Sequence, residues 1–313
     1  MRTLLLPLLI VLGACQEYNF NHDEIEAGGD DPSVLSEPES RFDNWNLDEL
    51  PGTDVLFFGD TSGSMATELT TLGSLVGTFV THMEDYTASW QLLAVTGPSG
   101  CGVGGVITPQ TADYANVFSA AILTPPGEDD VDEWGLYNVA QAVQLSGDGQ
   151  CNQGFLREDA VLHVIFISDE DDNSPGWDTE VGYWQAYVDT IVAAKSDPSL
   201  VRMSAIAGPV PDGCDGAEPG TGYAEAVDAT GGELISICTD WTQELDLLVQ
   251  ASIQRSDFAL SGWPMVPSLS VVVNGEARED GWEYVGADNL VRFDTDLPRS
   301  GDQVTIGYRV SDG

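Results

Sequence analysis

Basic residues are scarce in this chain of 313 residues: ten Lys and Arg stand against 52 Asp and Glu, which gives a formal net charge of −42 at pH 7. A nucleic-acid ligand is disfavoured, because binding its phosphates requires a basic surface. Docking on anionic lipid headgroups by charge is disfavoured for the same reason. The only lysine, Lys195, follows Ala194, so the chain has no Gly-Lys-Ser/Thr phosphate-binding loop.

The acid excess has two explanations that the sequence leaves open. A strongly negative surface favours solubility and the binding of divalent cations. The same composition is found in proteins from salty habitats, where the charge reflects the environment and not a ligand. Apolar residues make up 42% of the chain, which is ample for a packed core.

Histidine is also rare, which bears on catalysis. Of the three histidines, His22 lies in an acidic segment, His82 on a helical pattern and His163 inside a strand pattern. A Ser-His-acid triad therefore lacks an obvious base. The stretch Gly59-Asp-Thr-Ser-Gly63 also differs from the Gly-x-Ser-x-Gly nucleophile elbow. We expect no catalytic residues and no enzymatic activity, with a hydrolase of unrecognised site as a remote alternative.

The five cysteines include no Cys-x-x-Cys pair, so neither a zinc ribbon nor a thioredoxin-like site is indicated. Setting Cys15 aside leaves four, an even number that in an exported protein indicates two disulfides with three possible pairings. We favour Cys101–Cys151 and Cys214–Cys238, because each pair can join neighbouring loops.

The N-terminus has the pattern of an export signal. Residues 4–12 form an apolar run that is too short to span a bilayer. The run ends in Leu12-Gly13-Ala14-Cys15, which resembles the lipobox of bacterial lipoproteins, where the cysteine is lipidated and becomes the mature N-terminus. We predict a signal peptide over residues 1–14 and a lipid on Cys15 as the only membrane attachment. Gln16, and not Asp, follows the cysteine, which resembles the pattern of Gram-negative lipoproteins that are sent to the outer membrane. The resemblance implies that location.

Residues 15–50 are predicted to be a flexible acidic tether. Between residues 16 and 50 there are eleven acids, one Arg, and scattered Pro, Gly and Ser, without sustained hydrophobic periodicity. Such a composition buries too little apolar surface to fold.

Residues 54–255 alternate between strand and helix patterns. Apolar runs predict strands at residues 54–58, 90–95, 161–167, 201–207 and 233–237. Helical spacing is visible over residues 69–83, 136–143, 181–191 and 245–252. This alternation predicts an α/β fold with an open, mostly parallel sheet and helices on both faces.

Residues 258–313 change character. Leu269, Val271 and Val273 alternate with polar residues, Asn274-Gly275 is a hairpin signal, and a second alternation runs over residues 304–310. We predict a small all-β module of about four strands that packs on the larger domain.

One loop of the α/β region concentrates the chemistry. The first strand runs into Gly59-Asp60-Thr61-Ser62-Gly63-Ser64-Met65. A carboxylate and two hydroxyls at alternate positions can point to one centre, and oxygen ligands suit Mg²⁺, Ca²⁺ or Mn²⁺. The stretch resembles the start of the metal-ion-dependent adhesion site (MIDAS) of von Willebrand factor type A (vWA) domains. The resemblance covers about residues 54–255 and implies metal coordination by Asp60, Ser62 and Ser64.

The vWA family completes this site with a threonine and a second aspartate on later loops. The element Val164-Ile-Phe-Ile-Ser-Asp169 matches the strand before that aspartate, so the resemblance implies a role for Asp169. The threonine has no clean match: by spacing to Gly135, its place holds Asp132, with Glu133 beside it. An acid in the position of the threonine adds negative charge to the site. The added charge either favours Ca²⁺ or weakens the binding of a partner carboxylate to the metal.

The acids 170–172 extend the run after Asp169. They form either a solvated loop or a second or modified cation site, and they lack the spacing of an EF-hand.

Together these patterns predict a lipid-anchored envelope protein that binds a protein or surface ligand through a divalent cation. The resemblance implies that a partner carboxylate completes the metal coordination. The alternative is a structural or envelope-assembly scaffold in which the cation only stabilises the fold.

Overall fold

The structure, a computed structural model, describes residues 39–47, 52–125, 134–253, 257–293 and 295–310. The predicted signal peptide, Cys15, most of the predicted tether, Asp132 and Glu133 lie outside these ranges. None of the helices described in these ranges is both long and apolar enough to cross a membrane.

The described strands and helices are numbered in chain order. The strands are β1 (Ser40–Asn46), β2 (Thr53–Gly59), β3 (Trp90–Val95), β4 (Val161–Ile167), β5 (Val201–Ala207), β6 (Leu234–Ser236), β7 (Asp257–Ala259), β8 (Ser270–Val273), β9 (Glu276–Arg278), β10 (Trp282–Val285), β11 (Leu290–Phe293) and β12 (Gln303–Arg309). The helices are α1 (Ala66–Glu84), α2 (Tyr114–Ile122), α3 (Gly135–Gln144), α4 (Trp184–Val192), α5 (Tyr223–Thr230) and α6 (Leu245–Ala251).

Five strands form a parallel sheet in the order β3-β2-β4-β5-β6. Every residue of β2 and of β4 is buried, as expected for strands covered on both faces. Successive side chains point to opposite faces. Phe57 accordingly packs with α1, α2 and α6, whereas Phe58 packs with α3, α4 and α5. The predicted α/β fold with helices on both faces is confirmed.

Most predicted elements of this domain are present, with three differences. Val181 was included in a helical stripe, yet α4 begins at Trp184 and Val181 is fully exposed, because residues 177–183 form turns. Helix α5, with eight residues, was not predicted, and neither was helix α2, with nine. The buried Phe118 of α2 packs edge-on against Phe57 of β2, with ring centroids 4.9 Å apart.

The C-terminal region is all β, as predicted, but contains more strands than expected. Two antiparallel sheets have the orders β1-β12-β8-β9 and β10-β11-β7. The Asn274-Gly275 turn joins β8 to β9 with φ of 53° and 83°, the positive values of a tight hairpin. Strands β7 and β9 have three residues each, too few to show an alternation in the sequence.

Residues 40–46, which the sequence analysis placed in the tether, form strand β1. This strand pairs with β12 along its whole length, with Ser40 opposite Arg309 and Asn46 opposite Gln303. Trp45 packs edge-on against Phe258, with ring centroids 5.1 Å apart. The tether prediction fails here because a polar strand is stabilised by its pairing with β12, more than 250 residues away.

The two disulfides are those favoured from the sequence. Cys101 bonds Cys151, and Cys214 bonds Cys238, with Cα–Cα distances of 5.6 and 6.3 Å. The second bond joins the loop after β5 to the loop after β6.

Candidate functional site

The loop after β2 begins the candidate site. Asp60 follows the last residue of β2, and its amide donates to the carbonyl of Ile167 at the end of β4 (3.0 Å). Its side chain turns back, because Oδ1 accepts from the amide of Ser62 (2.7 Å). This local bond shapes the turn so that Ser62 and Ser64 lie on one side, with their Oγ atoms 3.1 Å apart.

The loop after β4 supplies the second carboxylate. Ser64 Oγ donates to Asp169 Oδ1 over 3.2 Å, although the two residues are 105 positions apart in the chain. The structure therefore brings together four of the six residues predicted as metal ligands, Asp60, Ser62, Ser64 and Asp169. The other two predicted ligands lie outside the described residues.

Ser168 is a site residue that the sequence analysis did not single out. It is fully buried, and its Oγ donates to Asp60 Oδ2 over 2.8 Å. Asp60 is thereby held from both of its oxygens and is only 4% exposed. The sequence feature that could have indicated Ser168 is its position directly before Asp169, at the carboxyl end of the same strand.

The carboxylates of the site repel each other. Partial burial raises the pKa of Asp169, and the nearby charges of Asp60 and Glu68 raise it further, while the hydrogen bond from Ser64 acts in the opposite direction. A divalent cation between these groups would relieve the repulsion.

The donor set tests whether a metal fits. Asp60, Ser62, Ser64 and Asp169 offer only oxygen, as Mg²⁺, Ca²⁺ and Mn²⁺ prefer. Within the described ranges no group of three or more His, Cys, Asp or Glu side chains is placed to hold a metal ion. A cation here would therefore depend on the two serine hydroxyls. The residues fit the start of such a site.

Charge is distributed unevenly between the two ends of the parallel sheet. The loops that follow the strands, at 60–65, 96–113, 168–183, 208–222 and 237–240, contain no Lys or Arg. The described basic residues of this domain are Arg157, Lys195 and Arg202. They lie just before β4, just before β5 and at the second residue of β5, which is the amino end of the sheet. No described basic side chain of these loops competes with a cation at the site.

Asp172 corrects the interpretation of the acids 170–172. It is neither solvated nor a partner of the candidate ligands, since it is fully buried and its Oδ1 accepts from the amide of Leu136, at the start of α3, over 2.9 Å. Burial raises its pKa to about 7, against the effect of the donated hydrogen bonds. Asp171, by contrast, is partly exposed.

The described histidines both serve the scaffold. His163 is fully buried between Ser252 Oγ (2.6 Å) and Ser204 Oγ (2.8 Å), and burial lowers its pKa to about 3. Both serines are fully buried as well, so this Ser–His contact is closed to a substrate. His82 lies on the surface, 2.7 Å from Asp246.

Comparisons with known proteins give structural neighbours and no sequence family. No family model matches the chain, and no curated protein matches it. A von Willebrand factor type A protein from Catenulispora acidiphila is similar in structure at 14% identity, over 90% of this chain and 67% of that one, with a TM-score of 0.38. Proximal thread matrix protein 1 from the mussel byssus is similar at 13% identity, over 68% of this chain and 49% of that one, with a TM-score of 0.40.

Human COPII-coat protein Sec24c is similar at 11% identity, over 91% of this chain and 44% of that one, with a TM-score of 0.36. The chain thus spans about two thirds of the first of these proteins and about half or less of the other two. The strand order and the loop after β2, and not these scores, carry the resemblance to the vWA domain.

Proposed function

We propose that this chain is a lipid-anchored protein of the cell envelope that binds a protein or surface ligand through a divalent cation. The observation that carries the proposal is the meeting of two distant loops, where Ser64 Oγ lies 3.2 Å from Asp169 Oδ1 and 3.1 Å from Ser62 Oγ. These oxygens lie at the carboxyl end of a parallel sheet. Ligands bind at that end in open α/β folds.

Each described residue of the site has its own proposed role. Asp60, Ser62 and Ser64 would hold the cation, and Asp169 would neutralise charge beside it. Ser168 fixes Asp60 through a 2.8 Å hydrogen bond, so that the carboxylate is already oriented. A bound cation supplies a Lewis-acid position that a partner carboxylate can occupy.

The acidic loop before α3 belongs to the same proposal. Asp132 and Glu133 are proposed to add a further oxygen where vWA domains have a threonine. An added carboxylate favours Ca²⁺, which takes six to eight oxygens, over Mg²⁺.

The envelope location rests on the sequence. Lipidation of Cys15 would attach the chain to the outer membrane, and residues 16–38 would separate the folded part from the bilayer. We propose a binding protein and not an enzyme.

Thermal unfolding of the whole chain tests the cation site. The melting temperature is measured in chelator and in Mg²⁺, Mn²⁺ and Ca²⁺ at equal ionic strength, for wild type and Asp60→Ala. An ion that binds only the folded state raises the melting temperature by mass action. We expect one of these ions to stabilise wild type, and we expect the shift to disappear in Asp60→Ala.

Asp178→Asn is the matched control, because Asp178 is an exposed acid in the loop that carries Asp169. It should keep the ion-dependent shift of wild type. If all ions act equally on the three proteins, the effect is screening of net charge. The cation site is then refuted, and the scaffold alternative is favoured.

A further inference from the structure

Helix α3 begins against the loop that carries Asp169 and is not capped by its own residues. Its N-cap residue, Trp134, makes no side-chain capping bond. The first amides of a helix have no partner within the helix and require one from elsewhere. Here that partner comes from the loop after β4, which also carries Asp169.

Two side chains of that loop cap the helix. Asp172 Oδ1 accepts from the amide of Leu136 (2.9 Å), and Ser174 Oγ accepts from the amide of Tyr137 (2.9 Å). Ser174 Oγ also donates to Asp172 Oδ1 over 2.9 Å, so the two caps form one unit. A carboxylate at this end of a helix is further favoured by the helix dipole.

The backbone of Asp172 is bound to the loop after β5. Its amide donates to the carbonyl of Thr221 (2.9 Å), and its own carbonyl accepts from Tyr183 Oη (2.6 Å). The amide of Glu218 donates to the carbonyl of Asp169 (2.8 Å), so the loop after β5 binds the loop after β4 on both sides of residues 170–171. Asp172 is therefore the residue at which the loops after β4 and β5 meet the start of α3.

The packing around the start of α3 leaves little room for the helix to shift. A Cβ on Gly135, the first residue of the helix, would lie 2.5 Å from Tyr223 Oη, and Tyr223 is fully buried against Phe166. The start of the helix is thus packed against Tyr223 and hydrogen-bonded to Asp172.

We propose that Asp172 is a positioning residue for the cation site, which holds the loop that carries Asp169 against the start of α3 and against the loop after β5. The inference rests on the proposed function. It adds that cation affinity depends on a residue that does not contact the cation. Groups that orient metal ligands from outside the coordination sphere typically change affinity ten- to a hundredfold when removed.

The experiment measures the affinity of the whole chain for Ca²⁺, Mg²⁺ and Mn²⁺ by calorimetry at 15 °C and pH 8, where Asp172 is charged. Asp172→Ala should weaken the binding about tenfold or more. Asp172→Asn should stay within about threefold of wild type, because the amide oxygen can still accept from Leu136. Asp171→Ala is the matched control for loss of a neighbouring charge, and it should also stay within about threefold.

Melting temperatures in chelator separate positioning from simple stability. A purely structural Asp172 would lower the melting temperature in Asp172→Ala and leave the affinity of the folded protein unchanged, which would refute the proposal. Equal weakening in Asp172→Ala, Asp172→Asn and Asp171→Ala would assign the effect to charge and would also refute it.

Ser174→Ala decides the question if Asp172→Ala does not fold. It removes the cap on Tyr137 and leaves the Asp172 carboxylate, and we expect a severalfold loss of affinity. Unchanged affinity in Ser174→Ala would then overturn the proposal. Failure of the proposed function itself gives a different result, namely that wild type binds none of the three ions or that Asp60→Ala binds them as wild type does.

Discussion

Two fully buried aspartates lie at opposite ends of the parallel sheet, and the chain satisfies them in different ways. Asp54 is the second residue of β2, at the amino end of the sheet. Its Oδ1 lies 2.7 Å from Arg157 Nε, and its Oδ2 lies 3.4 Å from Lys195 Nζ. Asp172, at the carboxyl end, accepts hydrogen bonds from the amides of Leu136 and Ser174 and from the hydroxyl of Ser174.

The difference follows the location of the candidate site. At the amino end, basic side chains neutralise the buried carboxylate and join β2 to the segments before β4 and β5. At the carboxyl end, uncharged donors form hydrogen bonds to Asp172 and leave its charge unneutralised. The buried carboxylate at the carboxyl end is thus held without a basic side chain. A basic side chain beside Asp60 and Asp169 would oppose the binding of a divalent cation.

Asp54→Ala is expected to have the largest effect on stability. It leaves Lys195, 4% exposed, without its carboxylate partner, and it removes an acceptor from both the Nε and the backbone amide of Arg157. Breaking a buried ion pair by removing one partner costs about 3–5 kcal/mol. Urea unfolding at pH 7 should show a loss of this size.

Replacing both buried partners sharpens this result. In Asp54→Leu with Lys195→Met no buried lysine is left unpaired, so a large part of the lost stability should return. If the double variant is no more stable than Asp54→Ala, the ion pair with Lys195 is not what holds this end of the sheet.

The pH dependence of stability should reveal Asp172. Its pKa is raised to about 7 in the folded chain, mainly by burial, whereas a free aspartate has a pKa of about 3.9. The folded state therefore binds the proton more tightly, and Asp172 contributes stability that is present at low pH and is lost as the pH rises through 7. Each unit of pKa shift corresponds to about 1.4 kcal/mol, so the change is a few kcal/mol at most.

The measurement compares wild type with Asp172→Asn in chelator, by urea unfolding at several pH values from 4 to 8. Relative to the variant, wild type should lose stability as the pH rises. The difference between the two proteins isolates Asp172 from the many other acids. A difference that is constant over this range would contradict a raised pKa.

The smallest effect is expected for an exposed pair that joins α1 to α6. His82 Nδ1 lies 2.7 Å from Asp246 Oδ1, with side chains 45% and 72% exposed. Exposed pairs contribute less than about 1 kcal/mol. Asp246→Ala should therefore change the free energy of unfolding by less than that, which places it well below Asp54→Ala in the same assay.

Long apolar runs made most of the α/β domain predictable. Strands β3, β4 and β5 begin and end at the predicted residues, because strands buried on both faces require uninterrupted apolar sequence. The turn after β2 was equally predictable from the sequence, because Asp60, Ser62 and Ser64 lie within five residues and contact each other locally.

Non-local contacts explain the features that the sequence analysis did not predict. Strand β1 has no fully buried residue and exists through its pairing with β12. The sequence did not reveal the role of Asp172, because Asp172 is one of four consecutive acids at residues 169–172. Only the approach of α3 distinguishes Asp172 from its neighbour Asp171.

The sequence by itself determined the alternation of strands and helices, the oxygen-rich loop after β2 and the lack of basic residues near it. These properties depend on periodicity and composition over short stretches. The tertiary structure alone decided that Ser64 meets Asp169, that Ser168 orients Asp60 and that Asp172 is buried beneath α3. Each of these contacts joins residues on different loops, whose meeting is fixed by the order of strands in the sheet.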